Sequence, residues 1–337
     1  MAIVLANYIH DLSPVIIEFT DTIKLRWYGL AYVVGFFVAY LILLSLAKRK
    51  LFIVRPDKVS DLVTLSAFLG VFLGGRLGYV FFYMIPEKGW SYLVDDPLTV
   101  IKVWDGGMAS HGGILGIMIV TLFYGWRHQI SWAGIGDGIT IVAPLGVFFG
   151  RVANFINGEL YGTTTHEKAW YGVKFPASLV EDRDQLLHAL TEASFVNEDV
   201  ERLMMNVDRG VPAQMNYALN QVIEISREDP AVLEALGNHI DLRHASQLYE
   251  GLLEGLLIFL VLYCIRVKFP KLANGIITGC FFLMYAGFRI LVENVRQPDS
   301  EELFGMTKGQ FYSTFMILIG IVFLGWGLVR RERIRQT

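Results

Sequence analysis

Charge is scarce in this sequence, and cysteine scarcer. Charged side chains make up 18% of the 337 residues, where an ordinary soluble domain carries about a quarter. With 54% of side chains hydrophobic, the composition excludes a typical soluble enzyme and points to an integral membrane protein. Two cysteines, Cys264 and Cys280, both sit inside apolar runs. No CxxC and no paired-histidine spacing accompanies them, which argues against a disulfide framework and a cysteine-based metal site; they read as small apolar fillers. A basic surplus is missing too: the formal net charge is -3, so nothing supports nucleic-acid binding. The opening "MAIVLANYIHDLSP" lacks a basic stretch and has only a short apolar patch, so it does not read as a cleavable signal peptide.

Long apolar runs are what the chain has. A bilayer core about 30 Å thick needs ~20 apolar residues in a helix. Windows at 27–47, 62–85, 112–126, 135–156, 247–265, 276–295 and 311–329 fit, so the expected fold is an all-α polytopic membrane protein with about seven spans. The third window is short, and "DGGMASHGG" before it suggests a broken or re-entrant start. Basic residues cluster after alternate spans: "KRKLFIVRPDK" (48–58), "RH" (127–128), "RVKFPK" (266–271) and "RRERIR" (330–335). The positive-inside rule puts these in the cytoplasm, with the C-terminus. The N-terminus and residues 86–111, 157–246 and 296–310 then lie outside.

Glycine recurs every fourth residue at 70, 74 and 78, at 112 and 116, at 146 and 150, and at 251 and 255. This spacing predicts small helix faces for close packing. Residues 163–241 differ: they are polar, acid-rich and too long for a simple connector. Leu186, Leu187 and Leu190, then Val200, Leu203 and Met204, recur at helical intervals, and Ser178 and Glu181 have capping-box spacing. Three parts follow: a membrane bundle at 1–162, an extracytoplasmic, mostly helical insertion at 163–241, and a second bundle part at 242–337.

Ionisable groups inside membrane spans are costly and mark functional sites by default. Here they are Arg76, Asp137, Arg151, Glu159, Glu250, Glu254, Arg289 and Glu293, with His111 opening the third window. Arg289 and Glu293 are four apart, on one helix face, and Arg296 lies a turn further. Arg151 and Asn154 end the fourth window, and Arg26, Trp27 and Tyr28 begin the first. Each has a plain structural explanation: a snorkelling arginine, an aromatic belt for Trp27 and Tyr28, a structural histidine, an internal ion pair. Their gathering at one expected depth, toward the outer boundary, is more than helix packing requires. Guanidiniums there suit a phosphate, and the phosphate at that depth is a phospholipid headgroup. A nearby histidine suits a general base.

"GRVANFINGELYG" (150–162) resembles the signature G-R-x-x-N-F-x-N-x-E-x-x-G of the prolipoprotein diacylglyceryl transferases, matching at Gly150, Arg151, Asn154, Phe155, Asn157, Glu159 and Gly162. "RWYGLAY", "GVFLGGRLGYVFFY", "VWDGGMASHGG", "HASQLYEGLLEG" and "YAGFRILVENVRQPD" are similar to further segments of that family, in the same order. The chain departs from it in the long segment at 163–241 and in Ala245, where the family often has proline. The resemblance implies transfer of the diacylglyceryl group of phosphatidylglycerol to the lipobox cysteine thiol of a prolipoprotein, in the bacterial inner membrane near its outer leaflet. It implies His111 as base, Arg151 and Arg289 as essential arginines, and Tyr28, Asn154, Glu159, Gly162 and Tyr285 as substrate-site positions, with Glu293 orienting Arg289. It implies no metal and no organic cofactor.

Two other classes compete. "GIGDG" (134–138) contains the GxGD of intramembrane aspartyl proteases, but that chemistry needs a second carboxylate at the same site, and no other aspartate lies deep in a window. A lipid transporter also uses broken helices and buried charge, but no internal hydropathy repeat is evident.

Overall fold

The computed structural model describes residues 8–20, 23–102, 106–297 and 304–331. The start of the N-terminal tail (1–7), part of "VWDGGMASHGG" (103–105), the end of "YAGFRILVENVRQPD" (298–299) and most of the last basic run (332–335) lie outside the described residues.

Among the described residues, six helices are long and apolar enough to cross a membrane: Trp27–Lys48, Pro56–Lys88, Trp132–Asn157, Ser246–Lys268, Ile276–Glu293 and Lys308–Arg330. They place the chain in the all-α class of multi-pass membrane proteins. The third expected window is helical over Ser110–His128, 19 residues, but is not one of the six. Ser110, His111, four glycines and a polar last turn dilute its apolar content. Local chemistry sets the ends. Pro56 opens the second helix, where a missing N–H costs nothing. Gly89 and Gly158 follow helix ends at φ +79° and +70°, the left-handed geometry that favours glycine.

The chain divides into two compact units, each described by itself. One comprises residues 33–146, 257–284 and 315–337. In it the Gly74 and Gly78 face lies directly on the backbone of Gly112 and Gly116, and Gly70 on Ile117. Small residues permit this backbone-to-backbone approach. Arg76, 3% exposed, donates to the carbonyls of Thr99 (2.5 Å), Val100 (3.1 Å), Gly107 (3.0 Å) and Gly106, and so ties these four residues to its helix.

The same unit buries Asp137. Its Oδ2 accepts from Arg266 Nη2 at 2.9 Å and from Gly275 N–H at 3.0 Å. Its Oδ1 accepts from the Thr278 N–H and hydroxyl, each at 2.9 Å. Both oxygens are saturated, and no second carboxylate is paired with them among the described residues. The GxGD aspartate is thus one end of a buried ion pair, which removes the basis of the protease reading.

The other unit comprises residues 1–32, 147–256 and 285–314. Residues 173–237 within it contain helices Arg183–Val196, Glu198–Met205, Pro212–Ser226 and Pro230–Gly237. Their apolar faces, including Leu186, Leu190, Val200, Met204, Leu219 and Leu236, share one hydrophobic core. The helical spacing read for Leu186–Leu190 and Val200–Met204 holds. The capping-box expectation does not: Ser178 lies inside the short helical turn Pro176–Glu181, and Asp182 caps the next helix, accepting from the N–H groups of Asp184 (2.9 Å) and Gln185 (3.0 Å). Asn197 and Asp229 cap two further helices in the same way. Strand Tyr8–Ile9 pairs in parallel with Val173–Lys174, and Val15–Glu18 pairs antiparallel with Lys24–Arg26.

Candidate active site

The site assembles at the end of the Trp132–Asn157 helix. Gly251 and Gly255 pack on Phe148, and Gly251 also on the Cβ of Arg151. The glycines of the Ser246–Lys268 helix therefore set Glu250 beside Arg151. The helix widens to a π-helical stretch over Gly251–Leu257, a feature frequent at functional sites. The other four-residue glycine pair, Gly146 and Gly150, has open space at its Cβ positions and is not a packing face.

Glu250 is fully buried, and its Oε2 collects three guanidiniums. Arg151 Nη2 lies at 2.6 Å, Arg289 Nη1 at 3.0 Å and Arg296 Nη1 at 3.4 Å. Arg289 also reaches Glu293 at 3.0 Å through Nη2, and lies 3.9 Å from Glu254. The i,i+4 pairing of Arg289 with Glu293 thus forms as the spacing predicts, and Gly309 packs against the Glu293 carboxylate, leaving it room. Tyr285 is a close electrostatic neighbour of Glu254, Arg151 and Arg289. Unlike Glu250, the Arg151 and Arg289 side chains keep 19% and 15% of their surface open, so each is within reach of a ligand.

The signature's remaining residues form the turn that presents Arg151. Glu159 Oε1 accepts from Asn154 Nδ2 at 2.8 Å and Asn157 Nδ2 at 3.3 Å, and its carbonyl accepts from Gln247 Nε2 at 2.7 Å. Gly162 donates its N–H to the His244 carbonyl at 2.8 Å. A Cβ there would collide with the Val295 carbonyl and lie 2.8 Å from the His244 Cβ, so only glycine fits. Arg243 closes this corner, bonding the Gly162 carbonyl at 3.3 Å and Glu181 at 2.7 Å while stacking on Tyr161.

His10 supports the same turn from the N-terminal tail. It is 5% exposed, its Nε2 donates to the Phe155 carbonyl at 2.7 Å, and its ring stacks on Phe175. Burial holds its pKa below the ordinary histidine value, with the nearby Arg227 acting in the same direction, against the opposing pull of the Phe155 carbonyl and Asp11.

Of the expected site residues, the structure brings together Arg151, Asn154, Glu159, Gly162, Tyr285, Arg289 and Glu293. Tyr28 lies in the same unit, in the first turn of Trp27–Lys48, with its ring 5.6 Å from Tyr32. His111 belongs to the other unit, in the first turn of Ser110–His128. Sequence reasoning placed Glu250 and Glu254 among the costly membrane charges but left them out of the site. Two acids four apart in "YEGLLEG" was the available signal. His10 lies in the N-terminal tail, where no spacing marks it.

The model of the family described as prolipoprotein diacylglyceryl transferase matches residues 14–326. A phosphatidylglycerol–prolipoprotein diacylglyceryl transferase of Bdellovibrio bacteriovorus is 37% identical over 330 residues, covering 94% of this chain and 93% of the relative. The protein of the same name from Proteus mirabilis is 33% identical over 343 residues, covering 98% of each. That of Stenotrophomonas maltophilia is 36% identical, covering 94% and 92%. The chain belongs to the prolipoprotein diacylglyceryl transferase family.

Proposed function

We propose that this chain transfers the diacylglyceryl group of phosphatidylglycerol to the lipobox cysteine of a prolipoprotein. The observation that carries this reading is the convergence of Arg151 and Arg289, from the signature and from "YAGFRILVEN", on one buried carboxylate with their remaining donors open. Guanidiniums of this kind bind phosphate oxygens bidentately and hold their charge at any working pH.

The cysteine thiol, with a pKa of about 8.5, attacks poorly until it loses its proton. His111 takes that proton. The thiolate sulfur then bonds to the glycerol carbon that carries the phosphate ester. The carbon–oxygen bond breaks, and glycerol phosphate leaves with the electron pair. Arg151 and Arg289 stabilise the negative charge that gathers on the departing phosphate. Asn154, Glu159 and Gly162 hold Arg151 in place, Glu293 orients Arg289, and Tyr28 and Tyr285 line the substrate site. The basic clusters after alternate spans support a site near the outer leaflet of the bacterial inner membrane, with residues 163–241 outside. Those residues have a hydrophobic core of their own and no part in the chemistry.

The test is direct. Purified protein is incubated with phosphatidylglycerol and a lipobox peptide. Diacylglyceryl transfer adds lipid mass to the peptide and releases glycerol phosphate. A shortened peptide would mean proteolysis, and an unchanged peptide would overturn the transferase reading.

A further inference from the structure

Three arginines held on one oxygen of one acid pose a problem of charge. Three guanidiniums in a low-dielectric cleft would bind a phosphate tightly. A site that must release a phosphate product in every cycle cannot afford to hold it so well. The structure supplies the counterweight. Arg151, Arg289 and Arg296 are matched by Glu250, Glu254 and Glu293, so the cluster is close to neutral at rest. Within it Glu250 is unusual. It is the only one of the three acids paired to all three arginines. It is fully buried, as Glu254 is, and its second oxygen, Oε1, has no hydrogen-bond partner. An unsatisfied carboxylate oxygen at that depth costs free energy. Asp137, in the other unit, shows the satisfied alternative within the same protein, with two donors on each oxygen.

We propose that Glu250 is a positioning residue that acts as a resident anion: it gathers Arg151, Arg289 and Arg296 in the absence of substrate, gives them up in part to the incoming phosphate, and reclaims them as the phosphate leaves. Glu250 touches no reacting atom. It acts through the arginines, setting how tightly they grip phosphate and how fast they let go. Glu254, one turn on, lies 3.9 Å from Arg289, a longer approach than any of the three that Glu250 makes. This inference rests on the phosphate reading of the arginines given above.

The test uses the full chain in detergent micelles with phosphatidylglycerol, a lipobox peptide and added glycerol phosphate. Glu250→Gln keeps the shape of the side chain and removes its charge. The expected result is an unusual split. The inhibition constant for glycerol phosphate falls by about tenfold or more, because three cations now face the anion with one counter-charge fewer. KM for phosphatidylglycerol falls with it, and kcat falls because product leaves slowly. A merely structural residue would raise KM or unfold the protein, and would not tighten product. An inhibition constant that is unchanged or weaker in folded Glu250→Gln overturns the proposal. If Glu250→Gln does not fold, Glu250→Asp decides instead. It keeps the charge on a shorter stem, so kcat drops while glycerol phosphate inhibits as in wild type; inhibition tightened as far as tenfold would overturn the proposal. The wild-type arm keeps the two readings apart. If glycerol phosphate fails to inhibit the wild-type enzyme, or Arg151→Ala fails to relieve inhibition, the phosphate reading itself fails, and the role of Glu250 with it.

Discussion

Two buried carboxylates are both held by arginine, yet they are dressed in opposite ways. Asp137 faces a single guanidinium and three further donors, and each oxygen is satisfied. Its partner Arg266 is 1% exposed. Glu250 faces three guanidiniums on one oxygen and nothing on the other, and two of those arginines remain partly open. The first pattern is closed: adding a ligand would mean breaking a bond that is already made. The second is unfinished, because one carboxylate oxygen has no donor and two of its arginines can still be reached from outside. By sequence alone the two looked alike, since each is an acid at an unexpected place in an apolar run. The count of donors around the carboxylate, more than burial or charge, separates a clasp from a site.

The largest effect expected from this contrast comes from Arg289→Ala. It removes a phosphate donor and strands Glu293, and transfer should fall by about a thousandfold, the upper end for losing one oriented donor. Lipidation of a peptide followed by mass spectrometry measures it. Next come Arg151→Lys and His111→Gln, each expected to lose about a hundredfold. Lysine keeps the charge of Arg151 but not its fork; near-normal activity would return Arg151 to the snorkelling explanation. For His111→Gln, phosphatidylglycerol binding should persist, and raising the pH toward the thiol pKa should restore part of the rate. Loss of lipid binding would instead place His111 in the headgroup site.

Asp137→Asn sharpens the comparison from the other side. Leaving Arg266 buried and unpaired should cost about 3–5 kcal/mol of stability, seen as a lowered melting temperature, while activity per folded molecule stays as in wild type. A selective loss of activity would mean that the clasp is a site after all. The smallest effect is that of pH on the His10 support. Its folded pKa is depressed, so the unfolded chain binds a proton first as pH falls through about 6.5. Stability should therefore decline between there and the lower folded pKa, and then level off. Melting curves of His10→Gln should show a shallower decline over that window, and equal slopes would mean that His10 does not titrate between the two states.

Much of this was legible in the residues. Apolar runs fixed the helices because helix length is tied to membrane thickness. The exception is instructive: 112–126 lies in a real helix whose glycines and end residues leave it short of the apolar content of the others. The i,i+4 pair Arg289–Glu293 formed as spacing predicts, since a helix brings those positions together by its own geometry. Glu250 escaped because its meaning depends on three arginines from two distant segments, and no local period encodes such a meeting. Among the glycines, spacing gave the right face at 70–78, 112–116 and 251–255 and an idle one at 146–150. A small residue permits close packing without saying what stands opposite. The cap at Asp182 in place of Ser178 shows the same limit at short range, where two polar residues compete for one helix start.

The stretch after Gly162 has a consequence for the order of assembly. Gly162 bonds back to His244, and the next residue, Thr163, to Val295, 132 positions later in the chain. The pocket corner cannot close until the ribosome has made nearly nine-tenths of the protein. Contacts of such long sequence separation form slowly and late. A nascent chain therefore carries Arg151 into the membrane long before Glu250, Arg289 and Arg296 exist to meet it, and until they are made the signature motif has neither its counter-ion nor its partner arginines.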